Sequence, residues 1–235
     1  MKDELRAIKA IAFDLDGTLV DSAPDIQRAL NASLRREGLQ RYDLDRVRSW
    51  IGDGPDVLIA RALQAQGLGD ADAGLRARLR RWFDAATLAA PMAGGSVCAG
   101  MGDLLAALHR VLPMVAVTNK PTPLARAVLD AAGLLPYLEG VHGADEPALR
   151  KPAPGLLLAA CERLGVAPHE MLMVGDSAPD MHSAHAAGCR AVLVSWGYGH
   201  TALPAWLDPL TIDTPQQLLD ALRAARASAD PILNN

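Results

Sequence analysis

The sequence predicts an α/β fold, a doubly wound parallel sheet interrupted early by an all-helical insert. Three observations carry this. From Met101 onward, short apolar runs alternate with amphipathic stretches of helical length. One more apolar run, Ile8 to Phe13, stands ahead of them and stops at an acid, Asp14. Between Ser22 and Met92 the spacing is helical and no convincing strand pattern occurs.

Ile8 to Phe13 is rich in strand formers and reads as a strand buried on both faces. Pro24 to Trp50 places Ile26, Leu30 and Leu34 on one helical face, and a Gly52-Asp53-Gly54-Pro55 turn interrupts it. Helical spacing resumes at Val57 to Leu63 and at Leu75 to Leu88. Met101 to Leu112 is a predicted helix, Met114 to Val117 a strand ending at Thr118-Asn119, and Pro123 to Ala132 a helix stopped by Gly133. Gly140 to His142 is a short strand, Pro154 to Leu164 a helix, and Met171 to Val174 a strand ending at Gly175-Asp176. Met181 to Ala187 is a helix ended by Gly188, and Ala191 to Val194 is a strand. The last helix is Pro215 to Ala224, with Thr214 as N-cap and Pro215 in its first turn. Residues 1–21 and 94–225 are therefore expected to form the core domain, 22–93 the helical insert, and 226–235 a loose tail.

Half of the 235 residues are apolar, ample for a real core, and the net charge is −4 with no block of like charge. Nothing here invites nucleic acid, which asks for a basic face, and no apolar run is long enough for a bilayer. The opening Met1-Lys2-Asp3-Glu4-Leu5 does not have the pattern of a signal peptide. Cys98, Cys161 and Cys189 are odd in number and scattered, so they read as buried or half-buried thiols of a reducing cytoplasm. Assembly, monomer or homodimer, is not written in these residues.

In a doubly wound sheet, ligands bind beyond the carboxyl ends of the strands. Here those ends carry Asp14-Leu15-Asp16, Thr118-Asn119 and Gly175-Asp176. Asp14 and Asp16 stand one residue apart, with Gly17 for a sharp turn. One carboxylate can attack phosphorus while the other moves a proton to the leaving alcohol and from a hydrolytic water. Alone, the pair is more often the mark of an Asx turn at a strand end. Gly175-Asp176-Ser177-Ala178-Pro179-Asp180 adds two acids that can cap a helix, and Asp14 with Asp176 and a backbone carbonyl would suffice for Mg2+. Thr118 and Asn119 can offer a hydroxyl and backbone N–H groups to phosphate oxygens, or form a plain turn. Lys151 precedes Pro152, which keeps it out of a helix. Alone, a lysine is more often a solvated surface group, but this one is among only four, with Lys2, Lys9 and Lys120, in a chain that otherwise uses arginine, which leans toward a wanted point charge.

With these four segments in order, the chain resembles the haloacid dehalogenase superfamily, and within it phosphoglycolate phosphatases and related sugar-phosphate phosphatases. Phe13-Asp14-Leu15-Asp16-Gly17-Thr18-Leu19-Val20-Asp21-Ser22 is similar to the family's first motif. Val117-Thr118-Asn119-Lys120-Pro121 resembles the second, Lys151-Pro152 the third, and Val174-Gly175-Asp176-Ser177 with Asp180 the fourth. The likeness runs over most of residues 8–200. It implies a Rossmann-like core and a mobile helical cap at 22–93. It also implies that Asp14 is nucleophile and metal ligand, and that Asp16 is general acid and base with its backbone carbonyl on the metal. Thr118 and Lys151 would bind the phosphoryl group, Asp176 the Mg2+, and Asp180 the metal's waters. The expectation is that side-chain oxygens of residues 14, 16 and 176 meet around one divalent cation, with room beside it for a phosphoryl group.

Trp50-Ile51-Gly52-Asp53-Gly54 resembles the cap's specificity loop, so Gly52, Asp53 and Gly54 join Asn119 as expected substrate contacts. Two departures stand out. Cys98-Ala99-Gly100-Met101 lies where Pro-Gly-Val is common, and Asp53 where a neutral asparagine is, which would repel an anionic substrate. A Schiff-base phosphonate hydrolase needs a cap lysine, and none lies between residues 10 and 119. A dehalogenase lacks the second acid, here Asp16. A β-phosphoglucomutase usually has a cap arginine near Pro55, for which Arg48 could substitute. A non-enzymatic relative usually loses a motif acid, and none is lost here. The expectation is a cytoplasmic Mg2+-dependent phosphatase of a small phosphorylated metabolite, 2-phosphoglycolate first, with sugar and amino-sugar phosphates next. His182 and His185 share a helix face but read as packing or solvated rather than metal-binding.

Overall fold

The computed structural model describes residues 5–199 and 203–227. β1 (Ala10–Phe13), β4 (Met114–Thr118), β5 (Gly140–Gly143), β6 (Met171–Gly175), β7 (Arg190–Val194) and β8 (Leu210–Ile212) form one sheet in the order β5-β4-β1-β6-β7-β8. Every neighbouring pair in it is parallel. The chain fills one side of β1 with β4 and then the other with β6, so the direction of winding reverses at β1.

Strand periodicity explains the two cores. Ile11 and Phe13 of β1, Met114 and Ala116 of β4, and Leu172 and Val174 of β6 face one layer. That layer holds α5 (Met101–Leu108), α6 (Thr122–Ala131) and α9 (Pro215–Ala227), through Leu105, Val128 and Leu222 among others. The alternate residues Ala10, Ala12, Val115, Val117, Met171 and Met173 face α7 (Gly155–Leu164) and α8 (Ala178–Ala187). Both faces are covered, which is why these strands read as continuous apolar runs.

The insert is α1 (Ala23–Arg36), α2 (Leu44–Arg48), α3 (Pro55–Gln64) and α4 (Ala73–Ala89). These helices have their own core of Ile26, Leu30, Leu34, Val47, Leu58, Ile59, Leu63, Leu79 and Phe83. Leu124 of α6 joins it from the sheet side. The chain enters the block through β2 (Val20–Asp21) and leaves through β3 (Ser96–Val97), which pair antiparallel as a short stem. Asp25 secures the return, accepting from Gly94 N at 3.0 Å and Gly95 N at 2.8 Å.

The expected elements are present, with differences at their ends. The 24–50 segment is two helices, the first ending at Arg36 just ahead of Gly38 at φ +69° and the second started by Asp43, whose carboxylate accepts from Arg46 N at 2.7 Å. α5 stops at Leu108, four residues short of the reading, ahead of Pro113 and β4. β2, β3 and β8 were not expected, because two or three residues are too few to show a period. The last helix runs on to Ala227, so Arg226 and Ala227 belong to it; the rest of the expected tail lies outside the described residues. Cys98, Cys161 and Cys189 are free, as expected, and burial pushes the Cys98 thiol up to about 12. His182 and His185 pack on Trp206, at 5.7 and 4.9 Å between ring centres.

Candidate active site

Asp14 follows the last residue of β1, Thr118 ends β4, and Asp176 follows β6. These three adjacent strands flank the winding reversal, so their carboxyl ends open into one crevice. Carboxylate oxygens of Asp14, Asp176 and Asp180 all lie within 4.8 Å of one another. Lys151 stands among them, 2% exposed, with its ammonium 2.8 Å from Asp14 Oδ1 and 2.5 Å from Asp180 Oδ1. It also donates to the Val117 carbonyl at 2.9 Å.

The electrostatics follow from crowding. Burial pushes the Asp14 carboxyl up to about 8, against the pull of Lys151 and with help from Asp180 and Asp176. Burial and Asp180 raise Asp176 to about 6, against hydrogen bonds from Tyr198 and Gly199. For Lys151, burial works against the charge, but Asp14 and Asp180 outweigh it and hold the ammonium above its usual range. Three carboxylates share one ammonium, so the cluster suits a further cation, and an all-oxygen set of this kind suits a hard divalent metal.

Each acid is held by its surroundings. Asp176 Oδ2 accepts from Tyr198 N at 2.6 Å and Gly199 N at 3.1 Å. Gly17, at φ +86°, allows the first acidic loop to pass beside it: a Cβ there would sit 2.5 Å from Asp176 Oδ2. Asp180 is the partner in a capping box with Ser177 and accepts from Ser177 N at 3.1 Å. Its capping role and its bond to Lys151 coexist.

Asp16 departs from the expected meeting of side chains around one cation. Its carboxylate is outside the three-acid group and turns instead to Ser22 Oγ, at 2.5 Å, and to the ammonium of Lys120. The local turn explains this, since Asp14 and Asp16 straddle Leu15, which is fully buried. Only the Asp16 backbone is left as its possible contribution to a metal site.

A cavity lies between sheet and helical block. Asp14, Asp16, Thr118, Asn119 and Lys120 line its polar side, and Ile26, Ile51, Leu58, Phe83 and Leu124 its apolar side. Gly52 and Gly54 also line it; Asp53 does not. The Asp53 carboxylate is 2.5 Å from Arg61, which also donates to the Trp50 carbonyl at 2.7 Å. Arg61 thus neutralises the charge that was expected to repel an anionic substrate, and Asp53 stands off the cavity wall. Trp50 packs edge-on against Tyr42 at 4.9 Å and does not line the cavity. Arg48 does not line it either.

Asn119 lines the cavity, but its side chain is engaged. It donates to the carbonyls of Gly52 at 2.9 Å and Lys151 at 3.0 Å, and accepts from Lys151 N at 2.7 Å. Sequence reasoning assigned no role to Lys120, Ser22 or Tyr198. For Lys120 a signal was present: the scarcity of lysine that singled out Lys151 applies to it equally.

A family model for haloacid dehalogenase-like hydrolases matches residues 8–188. The chain belongs to the haloacid dehalogenase-like hydrolases. Among its relatives, the phosphoglycolate phosphatase of Chromobacterium violaceum is 38% identical, with 93% of this chain and 98% of that one covered. That of Salmonella typhimurium is 36% identical, with 99% and 100% covered. A crystal structure of a predicted phosphoglycolate phosphatase from Haemophilus somnus superposes with a TM-score of 0.83 at 30% identity, covering 91% of this chain and 97% of that one. The protein is phosphoglycolate phosphatase-like in sequence and is a phosphoric monoester hydrolase.

Proposed function

We propose that this protein is a Mg2+-dependent phosphatase that hydrolyses a small phosphomonoester, 2-phosphoglycolate first, through a phosphoryl group carried on Asp14. The observation that carries the reading is the Asp14 carboxylate, bound to Lys151 at 2.8 Å beside two further acids, on the wall of a cavity capped by apolar side chains.

Asp14 attacks phosphorus, and the ester oxygen leaves with a proton from Asp16. Water then attacks the acyl phosphate, and Asp16 takes its proton. Lys151 holds Asp14 in place and steadies charge on the phosphoryl oxygens. Thr118 accepts from Lys120 N at 3.2 Å through Oγ1, which leaves its hydroxyl proton for a phosphoryl oxygen. Asp14 and Asp176, with the Asp16 backbone carbonyl and support from Asp180, would hold Mg2+. Bound there, the ion would screen the repulsion between Asp14 and an anionic ester.

The helical block works as a cap over this chemistry. Its cavity face is apolar, which supports exclusion of water. A phosphomutase reading finds no support, since no arginine of the block lines the cavity. The absence of a membrane-crossing helix among the described residues fits a cytoplasmic enzyme.

The test is phosphate release from a panel of phosphorylated metabolites with and without Mg2+. Wild type should be Mg2+-dependent, and Asp14→Asn should lose at least about a thousandfold in rate. Asp16→Ala should turn over slowly while keeping most metal affinity. Turnover by Asp14→Asn at the wild-type rate would end the proposal.

A further inference from the structure

We infer that Lys120 determines specificity, binding a carboxylate attached directly to the ester carbon of the substrate. This rests on the phosphatase reading above and names the group that recognises the substrate's second charge.

Lys120 is the sole cationic side chain among the described residues lining the cavity, and it is 5% exposed. Its ammonium is bound to Asp16 Oδ1. Asp16 must turn toward the ester oxygen to act on the leaving group, and that movement takes its carboxylate away from Lys120. A buried ammonium left without a partner is costly, so an anionic group arriving with the substrate is favoured in that place.

The remaining surroundings narrow the choice. The opposite wall is Ile26, Ile51, Leu58 and Phe83, which offers nothing to sugar hydroxyls. The nearby arginines do not line the cavity and are paired with acids: Arg61 with Asp53, Arg80 with Asp56 and Asp84, and Arg150 with Asp56, the Arg150 Nε being buried without a partner. A second phosphate would therefore meet one lysine and no arginine fork. A single carboxylate matches one ammonium. Lys120 and Asp16 stand side by side on the polar wall, so the group that takes the place of Asp16 at the ammonium sits close to the ester oxygen toward which Asp16 turns. A carboxylate attached directly to the ester carbon lies close to that oxygen; one much farther along a chain would overshoot the ammonium.

The experiment compares 2-phosphoglycolate with 2-phosphoglycolamide, its neutral isostere, by kcat/KM on the Mg2+-loaded enzyme. Wild type should prefer the carboxylate by about 10- to 100-fold, the worth of one charge-assisted hydrogen bond, chiefly through KM. In Lys120→Met that ratio should fall to about one, and in Lys120→Arg most of it should survive. Wild type that hydrolyses both esters equally well overturns the inference and leaves the phosphatase reading standing. Equal losses on both esters in Lys120→Met also overturn it, since Lys120 would then serve Asp16 alone. Wild type inactive on every phosphomonoester overturns both readings. The wild-type comparison decides the matter even if Lys120→Met does not fold.

Discussion

The side-chain amide of Asn119 donates to the Gly52 carbonyl at 2.9 Å and so ties the sheet to the loop of the helical block. The same amide is bonded in both directions to the backbone of Lys151, the residue that holds Asp14. Nearby, a Cβ on Gly54 would sit 2.7 Å from the Asn119 carbonyl oxygen, so the two segments approach backbone to backbone. Position of the block and position of the nucleophile are thus linked through one residue.

Asn119→Ala should therefore be felt in two ways. It leaves the Lys151 backbone groups and the Gly52 carbonyl short of a partner, which should cost about 1–3 kcal/mol in urea unfolding. It should also raise KM, because the loop is no longer held over the cavity. An unchanged unfolding midpoint together with an unchanged KM would show that the amide ties nothing.

Lys151→Met should destabilise the metal-free protein more than any surface change. It removes the cation from a buried group of three acids, and breaking such a pair by deleting one partner costs about 3–5 kcal/mol. Added Mg2+ should recover part of this by supplying positive charge to the same carboxylates. Chemical denaturation with and without Mg2+ reads both effects. Equal stability of the variant and wild type without metal would contradict the charge balance described here.

Metal affinity should rise with pH between 6 and 8. Burial lifts Asp14 to about 8 and Asp176 to about 6, and a bound cation must displace the protons they hold. For folding, a carboxyl pKa raised above its ordinary 3.8 gives a contribution that is full at low pH and lost as the pH rises toward 8. The metal-free protein should thus lose Tm over that range, and Mg2+ should raise Tm more at pH 8 than at pH 6. Calorimetric titration and thermal melts check the two statements. A metal-induced shift in Tm that shrinks from pH 6 to pH 8 would show that these acids are not the ligands.

Much of the fold was legible because it rests on local periodicity. The central strands are buried on both faces and read as apolar runs, and Gly133 and Gly188 punctuate the helices that follow. The stem of Val20–Asp21 with Ser96–Val97 was not legible, since two residues carry no period and their pairing spans 76 positions of chain, counted from 20↔97 and 21↔96 as the mean of 77 and 75. In the site, Asp14, Thr118 and Asp176 were readable from their places at strand ends and from their motifs, and Lys151 from Lys151-Pro152 and the scarcity of lysine. The engagement of Asp53 by Arg61, and the turning of Asp16 toward Ser22 and Lys120, were not. Both depend on rotamers and on partners brought in by folding.

By itself, the order of residues determined the class of architecture and the chemistry on offer: acids and one hydroxyl at the ends of parallel strands, and a lysine held before a proline. Those properties follow from backbone period and side-chain type, which are local. Tertiary structure alone decided which charges neutralise which. Pairing energy depends on distance and burial, and Lys120 meets Asp16 across 104 positions of chain only once the strands have been set side by side.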